Sequence, residues 1–266
     1  MGMAQRLSDV DDKVGFLVGG AQKSGTSALH KYLEMHPEIG VGDTKELGFF
    51  SNEQFYGTGE SIYGRYEGRY KYDPNFKIYG ESTPIYLYWK SSCKRIRNYN
   101  KNMKLIFILR NPSDRAFSQW NMEFDKSLDP EYNGFALETL PFDKAIKHES
   151  YRAKYALPYQ HRVYSYIDRG YYSKQIERYQ QYFPDDQLMF IKYEEFNTNQ
   201  GKVLRDVFNF LGVDPNFSYP ERVIENKRKK HASITPKDKR YLVDLFRDDI
   251  EKVESLLGWD CSDWLF

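Results

Sequence analysis

Hydrophobic positions divide this chain into short apolar runs separated by segments of helical period. The first run, Val14 to Gly20, ends in a glycine pair. Thr26 then opens a segment with Leu29, Tyr32 and Leu33 at the i, i+3, i+4 spacing of one helix face, and His36-Pro37 stops it. A short extended piece follows at Ile39 to Val41, and a second strand is predicted from Lys77 to Gly80, ending in Glu81. Met103 to Arg110 is a nearly unbroken apolar run, the pattern of a parallel strand buried on both faces. Gln187 to Phe196 reads as a fourth strand, and Gly201 to Leu211 as a helix with Val203, Leu204, Val207, Phe208 and Leu211 on one side.

Further helices are predicted after Asn111, near Phe142 to His148, through the tyrosine-rich 151–183 segment with a break at Gly170, and after Thr235. Strand and helix alternate, which implies right-handed crossovers and a parallel sheet. The expected fold is therefore α/β, a P-loop-like parallel sheet with helices on both faces. No Pro/Gly/Ser-rich linker interrupts the 266 residues, so one domain is expected over 1–266, with 1–13 as a flexible N-terminal segment. Residues 52–75 are aromatic and glycine-rich and fit either a packed edge or an acceptor-facing wall.

The first strand and helix enclose the loop Ala21-Gln22-Lys23-Ser24-Gly25. Glycines allow close backbone approach to an anion, and a helix N-terminus adds unsatisfied N–H donors and the positive end of its dipole. Gly20 and Gly25 have the spacing of a Walker A loop, but Thr26 stands where that loop has lysine. The only lysine in the loop is Lys23, three residues earlier, and Ser24, Thr26 and Ser27 add hydroxyls that a simple turn would not require. Arg110 ends the third strand at the edge where open α/β sheets bind ligands, and Asn111-Pro112 is a cap followed by a first helical residue. Ser118 falls about two turns into that helix, so a guanidinium and a hydroxyl could converge on a phosphate. Taken singly, Arg110 fits a strand-end salt bridge equally well, while Asp114 and Arg115 read as a local pair closing the helix start.

Composition narrows the options. A net charge of +1 argues against nucleic acid, so any anion site is local. Cys93 and Cys261 match no metal or redox spacing, which leaves two idle thiols or one disulfide. The polar start MGMAQRLSDVDDK reads neither as a signal peptide nor, with Arg6 at the sixth position, as a myristoylation site; no run approaches a membrane span. A cytoplasmic protein, or a catalytic domain excised from a larger chain, is expected. The run Asn226 to His231 carries four consecutive cations, which suit a solvated patch or an anion site, and His231 reads as a surface residue.

The stretch GAQKSGTSALHKYL resembles the 5′-phosphosulfate loop of sulfotransferases that use 3′-phosphoadenosine 5′-phosphosulfate (PAPS), especially the heparan sulfate N-deacetylase/N-sulfotransferase and 3-O-sulfotransferase branch. The resemblance implies that Lys23, Ser24, Gly25, Thr26 and Ser27 hold the phosphosulfate and that Lys23 stabilises the leaving phosphate. Glu46, followed by Phe49-Phe50, is similar to the family's catalytic base; spacing alone leaves open a solvated glutamate paired with Lys45. Glu81 is the second candidate base, and Ser82 stands where 3-O-sulfotransferases place a lysine. Gly48 and Ser51 also depart from that version.

Arg110 with Ser118 resembles the 3′-phosphate element, and Lys227, Arg228 and Lys229 the basic loop that wraps the nucleotide. PAPS as co-substrate, no metal, and an acceptor hydroxyl or amine on a carbohydrate or small metabolite follow from the resemblance. An ATP-dependent P-loop kinase and a non-enzymatic polyanion-binding module are the competing readings.

Overall fold

The computed structural model describes residues 5–10, 12–56, 62–132, 137–156, 161–219 and 231–266. Lys227, Arg228 and Lys229, the expected nucleotide-wrapping cations, lie outside the described residues. The chain forms two compact units, Met1–Leu109 with Glu177–Glu225 and Arg110–Ile176 with Asn226–Phe266.

The first unit is built on five parallel strands: β1 (Phe16–Gly20), β2 (Ile39–Val41), β3 (Ile78–Ser82), β4 (Lys104–Leu109) and β5 (Leu188–Lys192). Their order is β2-β3-β1-β4-β5. Phe16 pairs with Gly80 on one side and Lys104 on the other, and Leu105 pairs with Leu188. Successive side chains of a strand point to opposite faces. Phe16, Val18, Ile106 and Ile108 accordingly share a cluster with Leu29, Tyr32 and Leu33 of helix α1 (Thr26–Met35) and Val203, Leu204, Val207 and Phe208 of the later helix Gln200–Leu211. Phe107 points the other way, its ring 4.7 Å from that of Tyr179. Connections after β1 and β4 lead toward opposite ends of the sheet, so their carboxyl ends mark the switch point where α/β folds bind ligands.

After the short α2 (Tyr63–Glu67) comes α3 (Lys90–Tyr99), which the sequence pattern did not announce. Its buried Cys93, Ile96 and Tyr99 recur every three residues among lysines and arginines, too sparse an apolar face to stand out. The aromatic 52–75 segment is packed on its buried members: Tyr66 and Tyr70 are inaccessible, and Phe49 stacks on Tyr66 with centroids 4.6 Å apart. Leu7 is also buried, and its N–H bonds the Tyr70 carbonyl, so part of the expected flexible leader packs on this unit.

In the second unit, α4 (Pro112–Ser127) begins as its sequence implies: Asn111 accepts the N–H groups of Ser113 and Asp114, with Pro112 in the first turn. It is followed by α5 (Phe142–Ala153) and the start of α6 (Ser173–Gln180). Gly170 closes a 3-10 turn before α6, where a Cβ would come 2.5 Å from the Phe246 ring. Arg115 does not pair with Asp114. Its buried guanidinium donates to Gln119 and the Tyr166 carbonyl, while Asp114 pairs with Lys239 at 2.7 Å.

The fourth strand stops at Lys192, four residues early, because Tyr193 to Thr198 form α7 with Glu194 and Glu195 in its favourable first turn. Then comes α8 (Gln200–Leu211), and the helical segment after Thr235 is one long helix, α9 (Pro236–Leu257), capped by Thr235. Cys93 and Cys261 are both buried and carry no disulfide, and burial pushes the Cys93 thiol up to about 12.

Candidate active site

The loop between β1 and α1 is a tight turn. Ala21 donates its N–H to the Ile108 carbonyl at 2.7 Å, and Ser24 donates back to Ala21 at 3.2 Å. Lys23 sits at φ +72° and Gly25 at φ +88°. Gly25 is required twice over, by its positive φ and by the Tyr193 ring 3.2 Å from where a Cβ would lie. Gly19 and Gly20 serve packing instead of anion approach: a Cβ would meet Phe107 and Leu87, each at 2.6 Å.

No side chain caps α1, so its first-turn N–H groups have no intrahelical acceptor and its positive dipole end is uncovered. Ser24 is fully buried, with its Oγ lacking any hydrogen-bond partner. A buried hydroxyl left unpaired costs about 1–3 kcal/mol, which an anionic oxygen accepting from it would remove. The donor set therefore fits a phosphate or phosphosulfate.

Glu46 lies on the loop after β2, also at positive φ, +62°. Three consecutive amides fix this loop to the end of β3. Glu46 N–H donates to the Ser82 carbonyl at 3.2 Å, Leu47 N–H to Glu81 Oε2 at 3.3 Å, and Gly48 N–H to Thr83 Oγ1 at 3.2 Å. The Glu46 side chain remains about half exposed, at 53%. Lys45, adjacent in sequence to Glu46 and its possible partner, reaches further: its Nζ lies 2.8 Å from Glu46 Oε1 and 2.8 Å from Ser27 Oγ on α1.

Glu81 is buried completely and accepts from Thr83 Oγ1 at 2.5 Å, Tyr86 OH at 2.6 Å, Tyr66 OH at 3.2 Å and Leu47 N–H. Burial raises its pKa against the lowering effect of these donors. Nothing from solvent reaches it, so its geometry suits holding the Glu46 loop. Ser82 Oγ bonds His30 Nδ1 at 3.0 Å, and burial lowers the His30 pKa to about 4, leaving a neutral ring.

In the second unit Arg110 immediately precedes the α4 cap, and Tyr172 OH donates to its carbonyl at 2.9 Å. Arg110 and Ser118 are both half-buried. Asn111 also donates to the Trp264 carbonyl at 3.3 Å, which fixes the turn between them. His231 is not a free surface residue: its N–H donates to Asn121 at 2.9 Å, and its ring lies 2.7 Å from Asp125, both on α4. The chain leaving the basic run is thus tied to the helix that carries Ser118. Among the described tyrosines of 151–183, Tyr166, Tyr172 and Tyr179 are buried, and Tyr166 donates to Glu138 at 2.8 Å; Tyr151, Tyr155 and Tyr182 are exposed.

Residues 14–244 match the family model described as the sulfotransferase domain. The chain belongs to the sulfotransferase-domain family. A crystal structure of a sulfotransferase from Alicyclobacillus acidocaldarius superposes with a TM-score of 0.78 at 29% identity, covering 95% of this chain and 99% of that one. Curated relatives include the membrane-associated sulfotransferase kil1 of Dictyostelium discoideum, 25% identical over 92% of this sulfotransferase chain. Human bifunctional heparan sulfate N-deacetylase/N-sulfotransferase 3 is 27% identical over 94% of it. The chain spans 65% of the length of the first and 31% of the second. Among the described residues, no helix is long and apolar enough to cross a membrane.

Proposed function

We propose that this chain transfers the sulfuryl group of PAPS to an acceptor hydroxyl or amine, with a carbohydrate as the leading acceptor class. The observation that carries the reading is backbone strain. Lys23 and Glu46 are the two non-glycine residues with positive φ among those described, and they are the two residues the chemistry needs. Such conformations cost about 1–3 kcal/mol and concentrate at functional sites.

Glu46 takes the proton of the acceptor as a new S–O or S–N bond forms. Lys23 stabilises the negative charge on the phosphate oxygen whose bond to sulfur breaks, and 3′,5′-adenosine diphosphate leaves. Ser24, Gly25, Thr26 and Ser27 hold the phosphosulfate through the orphaned Ser24 hydroxyl and the uncapped start of α1. Arg110, Ser118, Lys227, Arg228 and Lys229 serve the 3′-phosphate end. Glu81, saturated and buried, positions the base loop.

The heparan sulfate enzymes among the relatives support a carbohydrate acceptor. Family membership removes support from the kinase reading of the loop. A cytoplasmic location is part of the proposal, and retention of the native protein in washed membranes would overturn that part. The main test combines transfer from labelled PAPS with a thermal-shift comparison of ATP, 3′,5′-adenosine diphosphate and a sulfated glycan. Stabilisation by 3′,5′-adenosine diphosphate together with label transfer is expected. Stabilisation by ATP alone would overturn the reading.

A further inference from the structure

We infer that Lys45 is a positioning residue for sulfuryl transfer, a cationic bridge that locks the base to the start of the donor-binding helix. The inference rests on the sulfotransferase reading above. Lys45 Nζ is 2.8 Å from Ser27 Oγ and 2.8 Å from Glu46 Oε1, so one ammonium joins residues on two separate elements. Its side chain is 28% exposed, against 53% for Glu46, so this pair is more shielded than an ordinary surface salt bridge.

The surroundings leave Lys45 as the group suited to this task. The backbone of the Glu46 loop is already fixed by Ser82, Glu81 and Thr83, but those bonds orient amides and leave the carboxylate's own torsions free. Ser82 Oγ is engaged with buried His30 and carries no charge. An ammonium held by Ser27 restricts the Glu46 carboxylate toward α1, where the acceptor must meet the donor. It also places positive charge beside the uncapped helix start, which sulfonate oxygens would share.

The test compares Lys45→Met, Lys45→Gln, Lys45→Arg and Ser27→Ala with the wild type. Single-turnover transfer from labelled PAPS is read with a de-N-sulfated heparan sulfate oligosaccharide, and with water as acceptor where the oligosaccharide is inert. Affinity for 3′,5′-adenosine diphosphate, which lacks the sulfuryl group, is measured by calorimetry.

Lys45→Met and Lys45→Gln should lower the transfer rate by about 30-fold or more while changing that affinity by less than about threefold. Lys45→Arg should recover at least about a tenth of the rate, and in the Ser27→Ala background Lys45→Met should add less than about threefold. Failure of the wild type either to bind 3′,5′-adenosine diphosphate or to release label would sink the sulfotransferase reading itself. A wild type that does both, with Lys45→Met and Lys45→Gln within about threefold of its rate, would overturn the bridge alone. Circular dichroism identifies a variant that fails to fold, and the remaining Lys45 variants then decide.

Discussion

Glu81 Oε2 accepts the backbone N–H of Leu47, the residue after Glu46, at 3.3 Å. One carboxylate is buried and saturated with donors, and it holds the loop that presents the other to solvent. On the proposed function, the two candidate bases thereby separate into a scaffold and a reactant. Glu46→Gln should leave the unfolding transition within about 0.5 kcal/mol of the wild type, since it is half exposed, and reduce turnover by about 100-fold or more. Glu81→Gln places an NH2 among groups that need an acceptor and should destabilise by about 1–3 kcal/mol. Chemical denaturation alongside PAPS turnover separates the two effects; a stable but inactive Glu81→Gln would reverse the assignment.

Strain at Glu46 makes a second expectation. At φ +62° a glycine is conformationally easier than glutamate, although glycine loses more entropy on folding. Glu46→Gly should therefore be as stable as the wild type or up to about 1 kcal/mol more stable, and inactive. Glu46→Ala keeps the strained backbone and should not share the gain. Thermal melts of the two variants check this, and an alanine variant more stable than the glycine one would contradict it.

These relationships differ in how visible they were beforehand. The run Met103 to Arg110 announced a buried parallel strand because both faces are apolar, and β4 forms within it, from Lys104 to Leu109. Asn111-Pro112 and Thr235-Pro236 announced helix starts because capping is local, and both caps form. The turn carrying Lys23 was legible for the same reason: the strand before it and the helix after it are written in consecutive residues. Lys45 was not, because its contact with Ser27 spans 18 positions and exists only once β2 and α1 are packed. Nor was the role of Glu81, since complete burial of a glutamate depends on Tyr66 and Tyr86 closing over it. The tail of the supposed fourth strand failed differently: Tyr193 to Phe196 has strand-like aromatics, but Glu194 and Glu195 favour a helix start there.

Two buried groups should give stability opposite pH dependences. His30 has its pKa lowered to about 4 from 6.5, so the folded state resists a proton that the unfolded state accepts, and stability is lost as pH falls from 6.5 toward 4. Glu149 has its pKa raised by burial to about 7 from 4.5, so the folded state retains a proton the unfolded state releases, and stability is lost as pH rises from 4.5 toward 7. Each effect amounts to about 3 kcal/mol across its window. The stability of wild type over His30→Asn should therefore grow as pH rises, and that of wild type over Glu149→Gln should shrink. Urea unfolding at half-unit pH intervals reads both slopes, and a slope of the opposite sign in either pair refutes that assignment.

His231 offers a test of the 3′-phosphate end that avoids the phosphate contacts themselves. Its N–H and ring hold Asn121 and Asp125 on α4, the helix that carries Ser118, and the basic run ends at the residue before it. If Arg110, Ser118 and that run read the 3′-phosphate, loosening the tether should weaken recognition of that group selectively. Ser118→Ala should lower affinity for 3′,5′-adenosine diphosphate by about tenfold, the scale of a hydrogen bond to a charged partner, and leave adenosine 5′-monophosphate binding nearly unchanged. His231→Ala should weaken the same discrimination by about three- to tenfold. Calorimetry with both nucleotides measures this. Equal losses for the two nucleotides in Ser118→Ala would remove Ser118 from the 3′-phosphate site, and equal losses in His231→Ala would make its contacts with α4 purely structural.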